Sequence, residues 1–433
     1  MSWLNNGGTT KFEVEITSFV QKVIQAPDFR KEDLDGFDAH RENMRFDKAV
    51  ANSDLKSQFK ESLVDILVPS GSMTVPPKVF TVPGLLHRSL TATIVGAFTD
   101  PLSHLLHFSP YKLFHRNPST QQEERIYGEL YTSDAFLAEH DKVQKYGKLP
   151  TTDPDCKREK VVAALMFSSD ATHLTDFGTA KAWPIYLMLG NLSKYTRSLP
   201  NSGAMHHLAY IPSLPDSFND MVSDFHARWR TQKKEILTHC KRELIQAVWK
   251  KILDDEFMHA YHYGVVIQCI DGVERRIYPR FFTYSADYPE KVLLATIRDK
   301  GLCPCPRCRV AKSELYLLGR FHDIQVRTNN LREYMLDKVK IARDAIYRLG
   351  MGIGSSVVED LLKPFSAVPT MNAFVDRIGP EFSPSKMLVV DLLHEFELGV
   401  WKGLFSQLIR LLYAAGRGID DPVVILDQRY IVL

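Results

Sequence analysis

The 433-residue chain lacks several features that would assign it to a class at once. No apolar run approaches the roughly 18–20 residues of a membrane span, and the first residues lack the layout of a signal peptide. The net charge is only +2, so any basic surface for nucleic acid must be local. The sequence has no phosphate-binding loop, internal repeat or long low-complexity tract. We therefore expect a cytosolic or nuclear protein without a membrane segment.

Cysteine is scarce, but three of the six cysteines, Cys303, Cys305 and Cys308, fall within six residues. Cys305 and Cys308 have the C-x-x-C spacing of a zinc knuckle, and the prolines between the cysteines prevent a helix. A fourth ligand could be His322, His394 or a carboxylate. Because no second C-x-x-C is present, reduced structural thiols remain the alternative. The motif predicts a structural Zn²⁺ site with Cys303 as a third ligand or a neighbour.

The length predicts two or three domains, and the composition, 45% hydrophobic and 24% charged, is that of a globular protein. The pattern indicates a mixed α+β or α/β fold. We expect a helix-and-loop region over 1–150 and the first part of a mixed-sheet core with flanking helices over 158–300. A cysteine-knuckle and helical insertion over 301–385 and a final part over 386–433 complete the predicted division.

Two predicted strands end next to aspartates. The apolar segment 161–167 precedes Asp170, and the segment 277–284 precedes Asp287. A second apolar segment, 182–189, predicts a hairpin with the first strand. Strand-end aspartates are common in turns, so each one alone is weak evidence for a site.

The segment 391–414 predicts one amphipathic helix with Asp391 as its N-cap. Asp391, His394 and Glu395 are three and four residues apart and share a face, which suits a metal site. This stretch taken alone favours a capped and solvated first turn instead, and the rest of the chain changes that balance. Glu395 and Glu397 are about 160° apart, so only one can face the strand-end aspartates. The helical pattern leans slightly towards Glu397. We choose Glu395, because Asp391 and His394 could supply a further ligand or orient a water molecule from the same side. The stripe expected to be buried consists of Leu398, Trp401, Phe405, Leu408 and Leu412.

Together these acids predict a catalytic metal site. Two strand-end aspartates followed by a helical glutamate are the arrangement of an RNase H-like nuclease or transposase core. Such a core holds two Mg²⁺ (or Mn²⁺) ions through oxygen ligands, one activating the attacking oxygen and one stabilising the leaving oxygen. The candidate catalytic ligands are Asp170, Asp287 and Glu395, and Asp391 and His394 are candidate further ligands.

The sequence also resembles the transposases of the Plavaka group of fungal DNA transposons, in the Kyakuja–Dileera–Zisupton superfamily. The residues that carry this resemblance span most of the chain: 80–89, 127–134, 181–186 with 190–191, 284–291, 303–308 and 391–399. The last three segments are specific individually, and the others only in combination.

The resemblance implies a nuclear, DDE-type transposase with an RNase H-like catalytic domain and a cysteine-containing insert. Its partners would be DNA, at the transposon ends and at the target, and homo-oligomerisation is left open. By position, Asp170 and Asp287 match the first two acids, and Glu395 is carried over as the third.

The chain departs from this family pattern at both ends, because it stops at Leu433, soon after the predicted helix, and has no N-terminal zinc finger. We therefore expect a fragment or a decayed copy. The alternative function is a non-catalytic, transposon-derived remnant that binds DNA or protein and keeps the zinc knuckle. An unrelated structural zinc protein is a third interpretation.

Overall fold

The structure is a computed structural model that describes residues 59–173 and 181–415, short pieces between 20 and 41, and residues 424–426. Contacts between residues divide the chain into two units, residues 1–59 and 60–433. The described part of the first unit includes a single π-helical turn, Val20–Ile24. Within the second unit, the finer division expected from the sequence stays a prediction.

The second unit alternates between strands and helices. Its described strands are β1 (Lys60–Val68), β2 (Lys78–His87), β3 (Leu113–Arg116), β4 (Glu123–Ile126), β5 (Glu159–Ser169), β6 (Thr172–His173), β7 (Lys181–Ala182), β8 (Pro184–Leu189), β9 (His206–Tyr210), β10 (Val265–Gln268) and β11 (Glu274–Ser285).

The helices flank these strands and also form the region after β11. They are α1 (Leu90–Thr99), α2 (Asp134–Tyr146), α3 (Lys194–Arg197), α4 (Asp216–Phe225), α5 (Trp229–Ile252), α6 (Asp255–Tyr263), α7 (Tyr288–Leu294), α8 (Phe321–Asn329), α9 (Leu336–Tyr347), α10 (Ser356–Leu362), α11 (Ala373–Ile378), α12 (Pro384–Met387), a π-helical segment (Leu392–Trp401) and α13 (Lys402–Ala415).

Seven strands form one mixed sheet in the order β1-β2-β9-β8-β5-β11-β10. All neighbouring pairs are antiparallel except β5 and β11, which are parallel. A parallel pair needs a long crossover, and here β8, β9 and helices α3 to α6 lie between the two strands in sequence. The fold is therefore mixed α and β, as the sequence predicts.

Both faces of β5 are covered, which explains its continuous apolar run. Val161 and Phe167 point into the main core, where Phe167 packs edge-on against Trp249 of α5 with ring centroids 5.3 Å apart. Val162 belongs to a smaller cluster on the other face, together with Phe136 of α2. A third cluster holds α9 and α10 together.

Several strand predictions are confirmed. The apolar segment 161–167 falls in β5, and six of the eight residues of the segment 182–189 form β8. These two strands pair antiparallel as the predicted hairpin. The segment 277–284 lies within β11.

Local signals set the limits of helices α1 and α2. Helix α2 begins at Asp134, because Ser133 caps it by accepting a hydrogen bond from the Phe136 N–H, 3.2 Å away. Residues 123–126 pair with β3 as a short hairpin. Helix α1 ends at Thr99 and is followed by a 3-10 turn at Pro101–Leu105.

The helix expected over 391–414 is present, but the predicted buried stripe is wrong. Its first ten residues are π-helical, and no side chain of 392–415 is buried. Leu398 is 54% exposed and Trp401 42% exposed. Amphipathic spacing defines an apolar face, but burial needs a partner surface, and the described residues offer none to this segment.

Candidate active site

Asp170 and Asp287 lie at the same edge of the sheet. In the parallel pairing of β5 with β11, Ser168 lies opposite Ser285, and each aspartate follows two residues later. Neighbouring strands are about 4.8 Å apart, so this register brings the two aspartates to adjacent positions. The apolar runs in the sequence predicted where each strand ends. The register that brings the two aspartates together is a property of the folded sheet.

The two carboxylates differ in their hydrogen bonding. Asp287 is the N-cap of α7, and its Oδ1 accepts a hydrogen bond from the Glu290 N–H at 2.9 Å, which leaves Oδ2 available. Asp170 is exposed, and within the described residues its side chain makes no hydrogen bond or ion pair. The capped aspartate is therefore fixed in orientation, while the other can adapt to a ligand.

The segment leading to Asp391 runs beside the end of β11. Leu388 forms an isolated parallel bridge with Tyr284, and the Val389 N–H donates to the Tyr284 carbonyl at 3.1 Å. Because Asp287 and Asp391 each follow this bridge by three residues, the start of the π-helical segment is brought to the same edge of the sheet.

Asp391 caps the π-helical segment and also binds His394. Its Oδ1 accepts a hydrogen bond from the Leu393 N–H at 3.1 Å, and its Oδ2 lies 2.5 Å from His394 Nδ1. The hydrogen bond to Asp391 raises the pKa of His394, and the charges of Asp391, Asp170 and Asp287 add to this effect. The cap and the shared face of Asp391 and His394, both predicted from sequence, are confirmed.

Glu395 forms an ion pair with Lys291 of α7. The Lys291 side chain is only 4% exposed and also donates to the Val389 carbonyl at 3.0 Å, so it connects α7 to the 389–395 segment. Glu397 is exposed, and its side chain has no hydrogen bond or ion pair among the described residues. The choice of Glu395 over Glu397 as the third acid stays a prediction.

Sequence reasoning missed Glu290, a buried carboxyl group beneath the two aspartates. Ser169 Oγ donates to Glu290 Oε1, and Trp183 Nε1 donates to Oε2 at 2.9 Å. Burial raises the pKa of Glu290 to about 7; the two hydrogen bonds act against this rise, and the charges of Asp287 and Asp170 add to it. The only sequence signal for Glu290 is its position three residues after Asp287. That spacing by itself indicates only the first turn of a capped helix.

The donor atoms fit a magnesium site only in part. Mg²⁺ prefers one or two carboxylates together with water and substrate phosphates, and Asp170 and Asp287 can supply those carboxylates. Within the described part of the chain, however, no group of three or more His, Cys, Asp or Glu side chains is arranged to hold a metal ion.

The cysteine motif folds into a non-helical turn held by an arginine. The guanidinium of Arg332 donates to the carbonyls of Cys303 and Cys305 at 2.6 and 3.0 Å and to the Cys308 carbonyl at 3.3 Å. A hydrogen bond between the two thiols lowers the pKa of Cys305 and raises that of Cys308. Arg332 was not singled out from the sequence, because nothing in its surroundings there marks its role.

The thiols supply only part of a zinc site. Cys305 and Cys308 lie together, but Cys303 Sγ contacts the Pro364 carbonyl, 4.0 Å away. Across residues 59–173 and 181–415, neither His322 nor His394 joins the cysteines in a metal-holding group. Zinc binding at this turn therefore stays a prediction.

Comparison with known proteins identifies the class of the chain as a transposase. The family described as Plavaka transposase matches residues 84–407, which is more than half of the chain and includes both strand-end aspartates, the cysteine turn and the 391–399 segment. The chain belongs to the Plavaka transposase family, as the resemblance predicted. A search of curated proteins found no match.

Family membership places the protein among those of transposable elements and implies interaction with DNA. None of the helices described in the structure has the length and apolar character needed to cross a membrane.

Proposed function

We propose that the protein cleaves and joins DNA strands by DDE-type chemistry on an RNase H-like core. The observation that carries the proposal is the register of β5 and β11, which puts Asp170 and Asp287 two residues beyond paired serines at one sheet edge. Adjacent parallel strands that are both followed by an aspartate support the RNase H-like assignment, in which the strand-end acids would hold the metal ions that contact the substrate phosphate.

In this proposal each residue has a distinct task. Asp170 and Asp287 would hold divalent metal, which would supply activation of the attacking oxygen and stabilisation of the leaving oxygen. The Glu290 N–H fixes the orientation of the Asp287 carboxylate. His394 is hydrogen-bonded to Asp391 through Nδ1, and its Nε2 would donate a hydrogen bond to a substrate phosphate.

The third acid of the proposal is Glu395. Its carboxylate is paired with Lys291, so it would reach a metal ion only after leaving that ammonium group. Glu397 has no ion pair to break, but its side chain makes no hydrogen bond or ion pair to the sheet edge among the described residues.

A second function, a DNA-binding remnant without catalysis, is favoured by a specific observation. The described residues contain no group of three metal-binding side chains, and the Glu395 carboxylate is already engaged. This alternative predicts DNA binding without strand cleavage.

Nicking of supercoiled plasmid with Mg²⁺ or Mn²⁺ separates the two functions. For Asp170→Asn and for Asp287→Asn we expect activity to fall by more than about 100-fold, because even groups outside the direct ligands contribute about 10- to 100-fold in metal sites. Asp360→Asn, an exposed aspartate on α10, is the matched control and should retain full activity.

If the wild-type protein does not nick DNA, or if the Asp170→Asn variant keeps full activity, the catalytic proposal is wrong. The function of a non-catalytic DNA-binding remnant then replaces it. Thermal unfolding of each variant shows whether a loss of activity comes from chemistry or from misfolding.

A further inference from the structure

A cavity of about 610 Å³ opens beside β11. Its walls come from α2, the end of α6, residues 280–282 of β11 and the segment 378–387. Pockets of about 300–1,000 Å³ hold small organic ligands, so this one can hold a nucleotide. We refer to it as the β11 cavity.

Positive charge exceeds negative charge around the β11 cavity. Its lining contains Lys142, Lys148, Arg280 and Lys386 but only two carboxylates, Glu139 and Glu381. Glu139 is engaged with Arg280 at 2.7 Å and lies 3.9 Å from Lys142.

Two of the lysines have no such partner. Lys148 and Lys386 are both exposed, and no described carboxylate lies within ion-pair distance of either. Burial lowers the pKa of the neighbouring His262, and the charges of Lys148 and Arg280 lower it further. The lining of the β11 cavity therefore carries an excess of positive charge, which favours an anionic ligand.

Aromatic rings complete the lining. Phe382 is half-buried, with its ring stacked on Phe374 at a centroid distance of 5.9 Å, and Phe282 packs against Phe136 at 5.2 Å. Both also line the β11 cavity. Rings held in place by packing provide stacking surfaces for unpaired bases, while cations nearby hold the phosphates.

The β11 cavity lies within reach of the candidate catalytic acids. Phe282 and Asp287 are five residues apart on one chain, so their Cα atoms are at most about 18 Å apart. That distance corresponds to about five nucleotides along one strand of B-form DNA.

We propose that the β11 cavity binds a single-stranded segment of the DNA substrate, with an unpaired base on Phe382 or Phe282 and phosphates on Lys148 and Lys386. The inference rests on the proposed function only for the path of the strand towards Asp170 and Asp287. DNA is the chosen nucleic acid because the chain belongs to a transposase family.

The test measures binding of a fluorescently labelled single-stranded oligonucleotide to the full chain in EDTA, over a range of NaCl concentrations. In Lys148→Ala/Lys386→Ala we expect weaker binding and a salt dependence of log K that is shallower by about 0.7 for each phosphate that the variant no longer neutralises. Phe382→Leu removes the stacking ring but keeps an apolar side chain, and should weaken binding at least about fivefold.

Lys60→Ala/Lys78→Ala is the matched control, because these two exposed lysines lie on β1 and β2 at the opposite end of the sheet. It should bind as the wild type does. Unchanged affinity and salt dependence in Lys148→Ala/Lys386→Ala would overturn the proposal, as would equal losses in the control.

Competition with other nucleic acids tests the chosen ligand. Tighter binding of duplex DNA, or of single-stranded RNA of the same sequence, would also overturn the assignment. Because EDTA removes divalent metal, binding is expected to persist in Asp170→Asn. Failure of the cavity proposal is thereby distinguishable from failure of the catalytic proposal.

Discussion

Asp170 and Asp287 follow strands that are packed into the core, whereas Glu395 lies in a helical segment, 392–415, without one buried side chain. The sheet edge is positioned by backbone pairing and by the aromatic core around Trp249. The segment 392–415 is connected to it through the Lys291–Glu395 ion pair and the short stretch beside Tyr284. Two acids are thus fixed by the fold, and the third depends on a few polar contacts.

The largest expected effect contrasts two tryptophans. Trp249 is fully buried and contacts Phe167 and Phe374, so Trp249→Ala should lower the free energy of unfolding by about 3–5 kcal/mol. Trp401 is exposed and stacks only on Phe405 among the described rings. Trp401→Ala should therefore change the free energy of unfolding by less than about 0.5 kcal/mol. Urea unfolding measures both, and a similar loss in both variants would contradict the contrast.

The next effect concerns the buried carboxyl group at the sheet edge. Burial raises the pKa of Glu290 from 4.5 to about 7, so the folded state holds this proton more tightly than the unfolded state. The free energy of unfolding should therefore fall by about 3 kcal/mol as pH rises through this interval, and level off above it. Below the lower pKa both states are protonated and Glu290 contributes no pH dependence.

Glu290→Gln should remove this decline, because the amide oxygen can still accept from Trp183 and the amide N–H can donate to Ser169. We expect the variant to be more stable than the wild type at pH 8 and nearly equal at pH 4.5, measured by urea unfolding at each pH. Glu397→Gln, at an exposed position, should leave the wild-type curve unchanged. A parallel decline in wild type and Glu290→Gln would show that Glu290 does not cause it.

The smallest effect tests the link between the two regions. Glu395→Gln leaves the buried ammonium group of Lys291 without its anionic partner, and should cost about 1–2 kcal/mol. Glu397→Gln, which breaks no described contact, is the control. If both variants have wild-type stability, the Lys291–Glu395 pair does not hold the segment to the sheet edge.

The Glu395→Gln and Glu397→Gln variants also test which of the two glutamates is a metal ligand. Calorimetric titration with Mn²⁺ should show lost binding in Glu395→Gln and retained binding in Glu397→Gln if Glu395 is the third acid. The reverse result would move the assignment to Glu397.

Part of the candidate site could be predicted from the sequence because it depends on local signals. An apolar run followed by Asp170, another followed by Asp287, and Asp391 before a helical pattern each indicate a strand end or a cap within a few residues. The structure confirms these strand ends and this cap. The ion pair that engages Glu395 was not predictable, because Lys291 is 104 positions away in sequence.

By itself, the sequence determined the strands β5, β8 and β11, the aspartates that follow two of them, the Asp391 cap and the resemblance to the Plavaka family. Only the tertiary structure decided that β5 and β11 are parallel neighbours, that Glu290 is buried beneath the aspartates, and that the apolar face of 392–415 is exposed. Periodicity reports which residues share a face of one element. The register between distant strands, and the presence of a partner for an apolar face, depend on contacts that only the folded chain creates.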